Sequence, residues 1–147
     1  MKNVYVHFDL KGAPPSLDYL TKVILFAKQF GITGVLLEFE DTFPYSGHIG
    51  VLKSQEFYYC REELSNFLAF LSDNGLEVIP LVQTFGHMEF ALKHDEFKQL
   101  RESQAFSNSL CPTNPKSFEL LSAMIRDVLD LHQHADKLHI GCDESII

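Results

Sequence analysis

Two stretches of this chain are built alike, and their spacing limits the folds open to it. FAKQFGITGVLLEF (26–39) and FLSDNGLEVIPLV (70–82) each close a helical pattern on a glycine and run at once into a short apolar segment. Gly31 and Gly75 stand 44 residues apart, the cadence of a β/α repeat rather than of an α-solenoid. VYVHF (4–8), rich in β-branched and aromatic residues, predicts a first strand ending at Asp9, with Gly12, Pro14 and Pro15 marking the loop that follows. Ser16 is placed as an N-cap, and Leu17, Leu20, Ile24, Ala27 and Phe30 recur at helical spacing up to Gly31. Residues 32–39 then read as a second strand. After an aromatic loop, Leu64, Phe67, Leu68 and Leu71 form the stripe of a second helix, and 76–82 is a third strand. A longer cycle follows: one helix over 89–101, a loop SNSLCPTNP, a periodic helix over 118–131 and a fourth strand over 138–141.

Strands that alternate with helices, and that read as apolar runs rather than as in-out alternation, imply an α/β fold with a parallel sheet covered by helices. Right-handed crossovers put every strand's C-terminal end on one rim, where ligands bind in doubly wound sheets and in (β/α)8 barrels. Asp9 and Lys11 follow the first strand there, Glu40 and Asp41 the second, Gln83, Thr84 and His87 the third, Asp143 and Glu144 the fourth.

Composition excludes several partners. The 147 residues are about one domain, 46% hydrophobic, with a net charge of -8 and no Lys/Arg cluster, so nucleic acid is not an expected ligand. Cys60, Cys111 and Cys142 are odd in number and form no C-x-x-C pair, which fits a reducing compartment. The start, MKNVYVHFDLKG, has too short an apolar run for a secretory leader, and no run is long enough for a bilayer, so a cytoplasmic location is expected, with the nucleus as a second.

The first β/α turn, DLKGAPPS, lacks G-x-G-x-x-G, and neither a P-loop nor G-x-S-x-G occurs, which disfavours nucleotide binding and acyl transfer. His132, His134, His139, Asp143 and Glu144 crowd together, but His132 and His134 sit at a helix end where solvated caps are the plainer reading, and no metal or other cofactor is expected. The sharpest feature is the adjacent pair Asp143 and Glu144. Charges at a strand end are often merely solvated; on this rim, however, two carboxylates can share one cleft with perturbed titration. Sequence neighbours are too close to act as opposed acid and nucleophile on a sugar, whose carboxyl groups lie about 5 Å or more apart. They suit a division in which one moves the proton and the other steadies a nucleophile belonging to the substrate.

HIGCDE resembles the H-x-G-G-D-E signature of family 20 glycoside hydrolases, the β-N-acetylhexosaminidases, and VIPLVQTFGHMEF is similar to their third-strand segment ending in Gly-His. HFDLKGAPP, EDTFPY, LVQTFGH and HIGCDE together resemble, more narrowly, the hexosaminidase D subgroup. The resemblance covers essentially the whole chain. It implies a (β/α)8 barrel, of which this chain carries the N-terminal half, about four β/α units, as a truncated form, partial gene model or fragment of the catalytic domain. It also implies substrate-assisted retaining hydrolysis of an N-acetylhexosaminide, with Glu144 as acid and base and Asp143 orienting the acetamide. His87 matches the family's loop histidine and Asp41 its second-strand aspartate, a relay to the acid; the alternatives are an ordinary loop histidine and an exposed turn aspartate. Where the family often has an arginine on the sugar hydroxyls, Lys11 stands near Asp9. Cys142 replaces a glycine and is read as a buried thiol. Two other readings stay open: a non-catalytic half-barrel that binds sugar or pairs as a homodimer through open strand edges, and a metal-dependent hydrolase using His139, Asp143 and nearby histidines.

Overall fold

A computed structural model describes residues 2–143. Three strands, β1 (Tyr5–Asp9), β2 (Gly34–Glu38) and β3 (Glu77–Leu81), lie parallel in the order β1-β2-β3. Between them run α1 (Leu17–Lys28) and α2 (Arg61–Asp73), followed by a single turn α3 (Glu89–Leu92) and the long α4 (Pro115–Leu131). Ser16 caps α1 by accepting from the Tyr19 amide, and Gly31 and Gly75 both take left-handed backbone, φ 91° and 70°, where each helix turns into its strand. The β/α repeat is therefore present as the spacing predicts.

Strand alternation differs from the expectation of plain apolar runs. Register pairs Tyr5 with Gly34 and Gly34 with Glu77, and, at the other end, Asp9 with Glu38 and Glu38 with Leu81. Side chains two apart share a face. Val35, Leu37 and Val78 belong to the core built with Leu20 and Ile24 of α1, Leu64, Leu68 and Leu71 of α2, and Met124 and Val128 of α4. The opposite face carries Tyr5, His7, Asp9, Glu38 and Glu77 together with Leu36, Ile79 and Leu81, so the sheet is apolar toward the helices and mixed on its other side, with its charged residues there. There Tyr5 crosses Gly34 to donate to Glu77, which also pairs with Lys137 at 2.7 Å.

Four local expectations are corrected. Residues 89–101 are not one helix: α3 stops at Leu92, and a 3-10 turn, Asp95–Leu100, follows. The last helix begins three residues earlier than read, because Asn114 accepts from the Lys116 amide at 3.1 Å and Pro115 fits the first helical position. Phe30 is 75% exposed rather than core. The fourth strand is reduced to one parallel bridge, Leu81 with His139, made by Val82 N to His139 O at 2.9 Å and His139 N to Pro80 O at 2.9 Å. It is not buried either; Ile140 is 49% exposed, because among the described residues nothing pairs with its outer side.

The long segment after β2 is fixed to the helices. Asp127 of α4, buried, accepts from the Ser46 amide at 2.7 Å and pairs with Arg61 of α2 at 2.8 Å. Phe39, Phe43 and Tyr45 pack beneath it in edge-to-face and tilted contacts. The loop therefore holds a fixed path, which fixes the rim residues at its start.

Candidate active site

Four segments leave the sheet at one edge, and backbone strain marks three of them. Glu40 (φ 47°), His87 (φ 56°) and Cys142 (φ 66°) are the non-glycine residues with left-handed backbone among those described. They follow β2, β3 and the His139 bridge, and strain of this kind persists where surrounding structure holds it, commonly at functional sites.

The mixed face of the sheet delivers a chain of hydrogen bonds to this edge. Glu38, only 4% exposed, receives His7 Nε2 at 2.9 Å and Gln83 Nε2 at 2.8 Å. The same Gln83 nitrogen donates to Asp143 Oδ2 at 3.1 Å. His87 Nε2 stands 3.9 Å from that oxygen, too far for a hydrogen bond but close enough for attraction once the ring is protonated. Thr84 holds the turn from above, donating to Ile140 O at 2.7 Å, and the Gly141 amide donates to His139 Nδ1 at 3.1 Å. Asp143 is thereby presented at the edge with its side chain 44% exposed.

A second cluster lies beside it. Lys11 Nζ bridges Asp9 at 3.1 Å and Glu40 at 3.3 Å. Burial pushes the Glu40 carboxyl up to about 7; Lys11 opposes the shift, while Glu38 and Asp9 add to it. Burial works against the Lys11 charge, but the hydrogen bond to Asp9 and the charge of Glu40 outweigh it and raise the ammonium to about 12. The edge thus offers several carboxylates, one that titrates near neutrality, and a cation already occupied by its neighbours. Such a surface suits a neutral ligand rich in hydroxyl and amide groups better than an anion.

Of the residues expected to form the site, Asp9, Lys11, Asp41, His87 and Asp143 all stand on this edge, and Glu144 lies outside the described residues. Asp41 does not face His87: it pairs with Lys93 at 3.6 Å, while His87 faces Asp143. Cys142 is exposed, not buried, and its Sγ lies 3.2 Å from Thr84 Oγ1. His132 is not a solvated cap; it is 4% exposed, its Nδ1 donates to Val128 O at 2.7 Å, and burial lowers it to about 4. Among the described residues no three His, Cys, Asp or Glu side chains form a group that could hold a metal ion. Sequence reasoning set Gln83 on the rim without naming its contacts and passed over His7 and Glu38. The in-out alternation of YVHFD, and a lone glutamate inside LLEF, are the signals that point to them.

Two cavities lie on the helical side, away from Asp143: one of about 90 Å3 between α2 and the chain after α4, and a groove of about 630 Å3 between α1 and α2.

The description "Glycosyl hydrolase family 20, catalytic domain" matches residues 29–146. Hexosaminidase D of Bos taurus is 48% identical over 139 residues, 95% of this chain and 40% of the relative; that of Homo sapiens is 49% identical over 139 residues, 95% of this chain and 28% of the relative. The chain therefore spans well under half the length of these relatives. Among solved structures, an exo-β-N-acetylglucosaminidase from Vibrio harveyi in complex with N-acetylglucosamine superposes with a TM-score of 0.75 at 19% identity, over 97% of this chain and 27% of that one. The fold is that of consecutive β/α units of a (β/α)8 barrel, and with a family match across most of its length the chain belongs to glycoside hydrolase family 20.

Proposed function

We propose that the protein is a β-N-acetylhexosaminidase that removes terminal non-reducing GlcNAc or GalNAc by substrate-assisted retaining hydrolysis. The observation that carries the reading is the presentation of Asp143, next to Glu144 in sequence, on the strained edge where Gln83 and His87 meet it. The names and titles of the relatives support the same substrate class.

In this reading the substrate's acetamide oxygen attacks its own C1, and the C1–O bond to the leaving group breaks as Glu144 gives that oxygen its proton. Asp143 accepts the acetamide N–H, aligning the attack and balancing positive charge as the oxazolinium ion forms. Water then adds to C1 as Glu144 takes its proton, the ring opens, and configuration is retained through two inversions. His87 tunes the charge of the pair, and Lys11 with Glu40 binds sugar hydroxyls as donor and acceptor. Neither metal nor cofactor takes part. A cytoplasmic or nuclear setting completes the proposal, supported by three free cysteines among the described residues.

Hydrolysis of p-nitrophenyl N-acetylglucosaminide and N-acetylgalactosaminide by the full-length protein tests it. Glu144→Gln is expected to lose about two to four orders of magnitude in kcat, and Asp143→Asn to lose turnover and affinity for an N-acetylglucosamine thiazoline together. Wild-type activity in both variants would remove the assignment. A second reading, self-association of this segment, has one observation in favour: Phe26 and Phe30 stack edge-on at 5.0 Å, both exposed, at the end of α1. Sedimentation of the 147-residue chain decides it, a monomer at all concentrations counting against it.

A further inference from the structure

Gln83 stands where two carboxylates would otherwise face each other across the sheet. We infer that it is a positioning residue for the reaction proposed above, holding Asp143 in the orientation that the acetamide requires; the inference rests on that reading of the site.

The geometry leaves the amide little choice. Gln83 is 4% exposed, and its Nε2 lies 2.8 Å from Glu38 Oε1 and 3.1 Å from Asp143 Oδ2. An amide nitrogen has two protons, and here each has one acceptor; turning the amide over would set its carbonyl against two acceptor-only groups. Glu38 is anchored in turn by His7 at 2.9 Å, so Gln83 is held from the far side and not only by Asp143. Oε1 is buried without a hydrogen-bond partner and lies against Gly141, where an added Cβ would come within 2.0 Å of it. The glycine of HIGCD therefore does more than turn the chain at φ 64°: it leaves the space through which Gln83 reaches Asp143.

Chemistry explains why the holding group is a neutral amide. Among the described residues, Gln83 makes the one hydrogen bond to the Asp143 carboxylate, and it uses Oδ2. Oδ1 remains to accept the substrate N–H. A lysine or arginine in the same place would fix the carboxylate too, but would offset the negative charge that Asp143 has to present to the oxazolinium ion. An amide fixes the group and leaves its charge in place.

The test uses the full-length protein with p-nitrophenyl N-acetylglucosaminide as substrate and the N-acetylglucosamine thiazoline as probe. Gln83→Leu is expected to lower kcat about ten- to a hundredfold and to weaken thiazoline binding by a similar factor, with KM changed far less. Gln83→Glu puts a third carboxyl against Glu38 and Asp143. It should be impaired at neutral pH and recover as the pH falls, because once protonated it donates again; a purely structural residue would show no such shift of the pH profile. If Gln83→Leu misfolds, the Gln83→Glu profile alone decides. Unchanged thiazoline affinity and pH profile in the Gln83 variants, with Asp143→Asn impaired, would overturn the inference and leave the proposed function standing. If Asp143→Asn is also unimpaired, the proposed function falls and takes the inference with it.

Discussion

Cys142 occupies a backbone conformation that glycine adopts without cost. It follows Gly141, so two successive residues are left-handed, φ 64° and 66°, and the chain reverses sharply enough to bring Asp143 back toward Gln83. A side chain at such a φ costs roughly 1–2 kcal/mol through contact of Cβ with the backbone. The Cys142 thiol is exposed, with Thr84 Oγ1 as its polar contact, and offsets little of this. Glycine also makes the unfolded chain more flexible, which takes back part of the gain. Cys142→Gly is therefore expected to stabilise the protein by about 0.5–1 kcal/mol and to leave turnover unchanged, as read from urea midpoints and hydrolysis rates. A loss of stability would show that Sγ contributes more than its one contact suggests.

At the scale of the elements, the three strands are tied together by what β2 lacks. Tyr5 of β1 lies over Gly34 to reach Glu77 of β3; a Cβ at position 34 would meet Glu77 O at 2.4 Å and the Tyr5 ring at 2.7 Å. Backbone on one side and a pinned aromatic on the other leave no route for relaxation, so Gly34→Ala should cost about 3 kcal/mol or more, with Tyr5→Ala recovering part of it in the double variant. A change under half a kilocalorie in urea unfolding would contradict this account. The same strand shows what the sequence made legible. Helix stripes such as Leu64, Phe67, Leu68 and Leu71 were readable because each is local and repeats at one period; all four are buried in α2. The rim residues were readable from strand order alone. Glu38 and His7 were not, because whether a strand is covered on one face or two depends on what packs across the sheet, and the alternation of YVHFD and the lone glutamate of LLEF take on meaning only once that is known. The break after Leu92 escaped for a related reason: Arg101 bonds the Leu92 carbonyl through its side chain at 2.8 Å, a long-range cap that no periodicity announces.

For the molecule as a whole, two groups withdrawn from solvent, His132 buried and Glu40 partly so, pull stability in opposite directions with pH. His132, held neutral among Phe39 and Phe43, titrates at about 4 instead of 6.5, so below pH 6.5 the unfolded chain binds the proton more readily and stability falls until the pH passes the folded value. In full this amounts to about 3 kcal/mol at roughly 1.4 kcal/mol per unit. Glu40 behaves in the reverse sense. Its folded value of about 7 exceeds the ordinary 4.5, so its protonation favours the folded state, a contribution complete below pH 4.5 and lost as the pH rises through 7. Between 4.5 and 6.5 the two offset each other, and the wild-type urea midpoint is expected to change little. Separating them should expose both. Glu40→Gln leaves His132 alone, and stability should drop steadily from pH 6.5 to 4; His132→Phe leaves Glu40 alone, and stability should rise as the pH falls from 7 to 4.5. Parallel curves for the two variants would mean that neither burial controls the acid response, and that it comes instead from the exposed carboxylates.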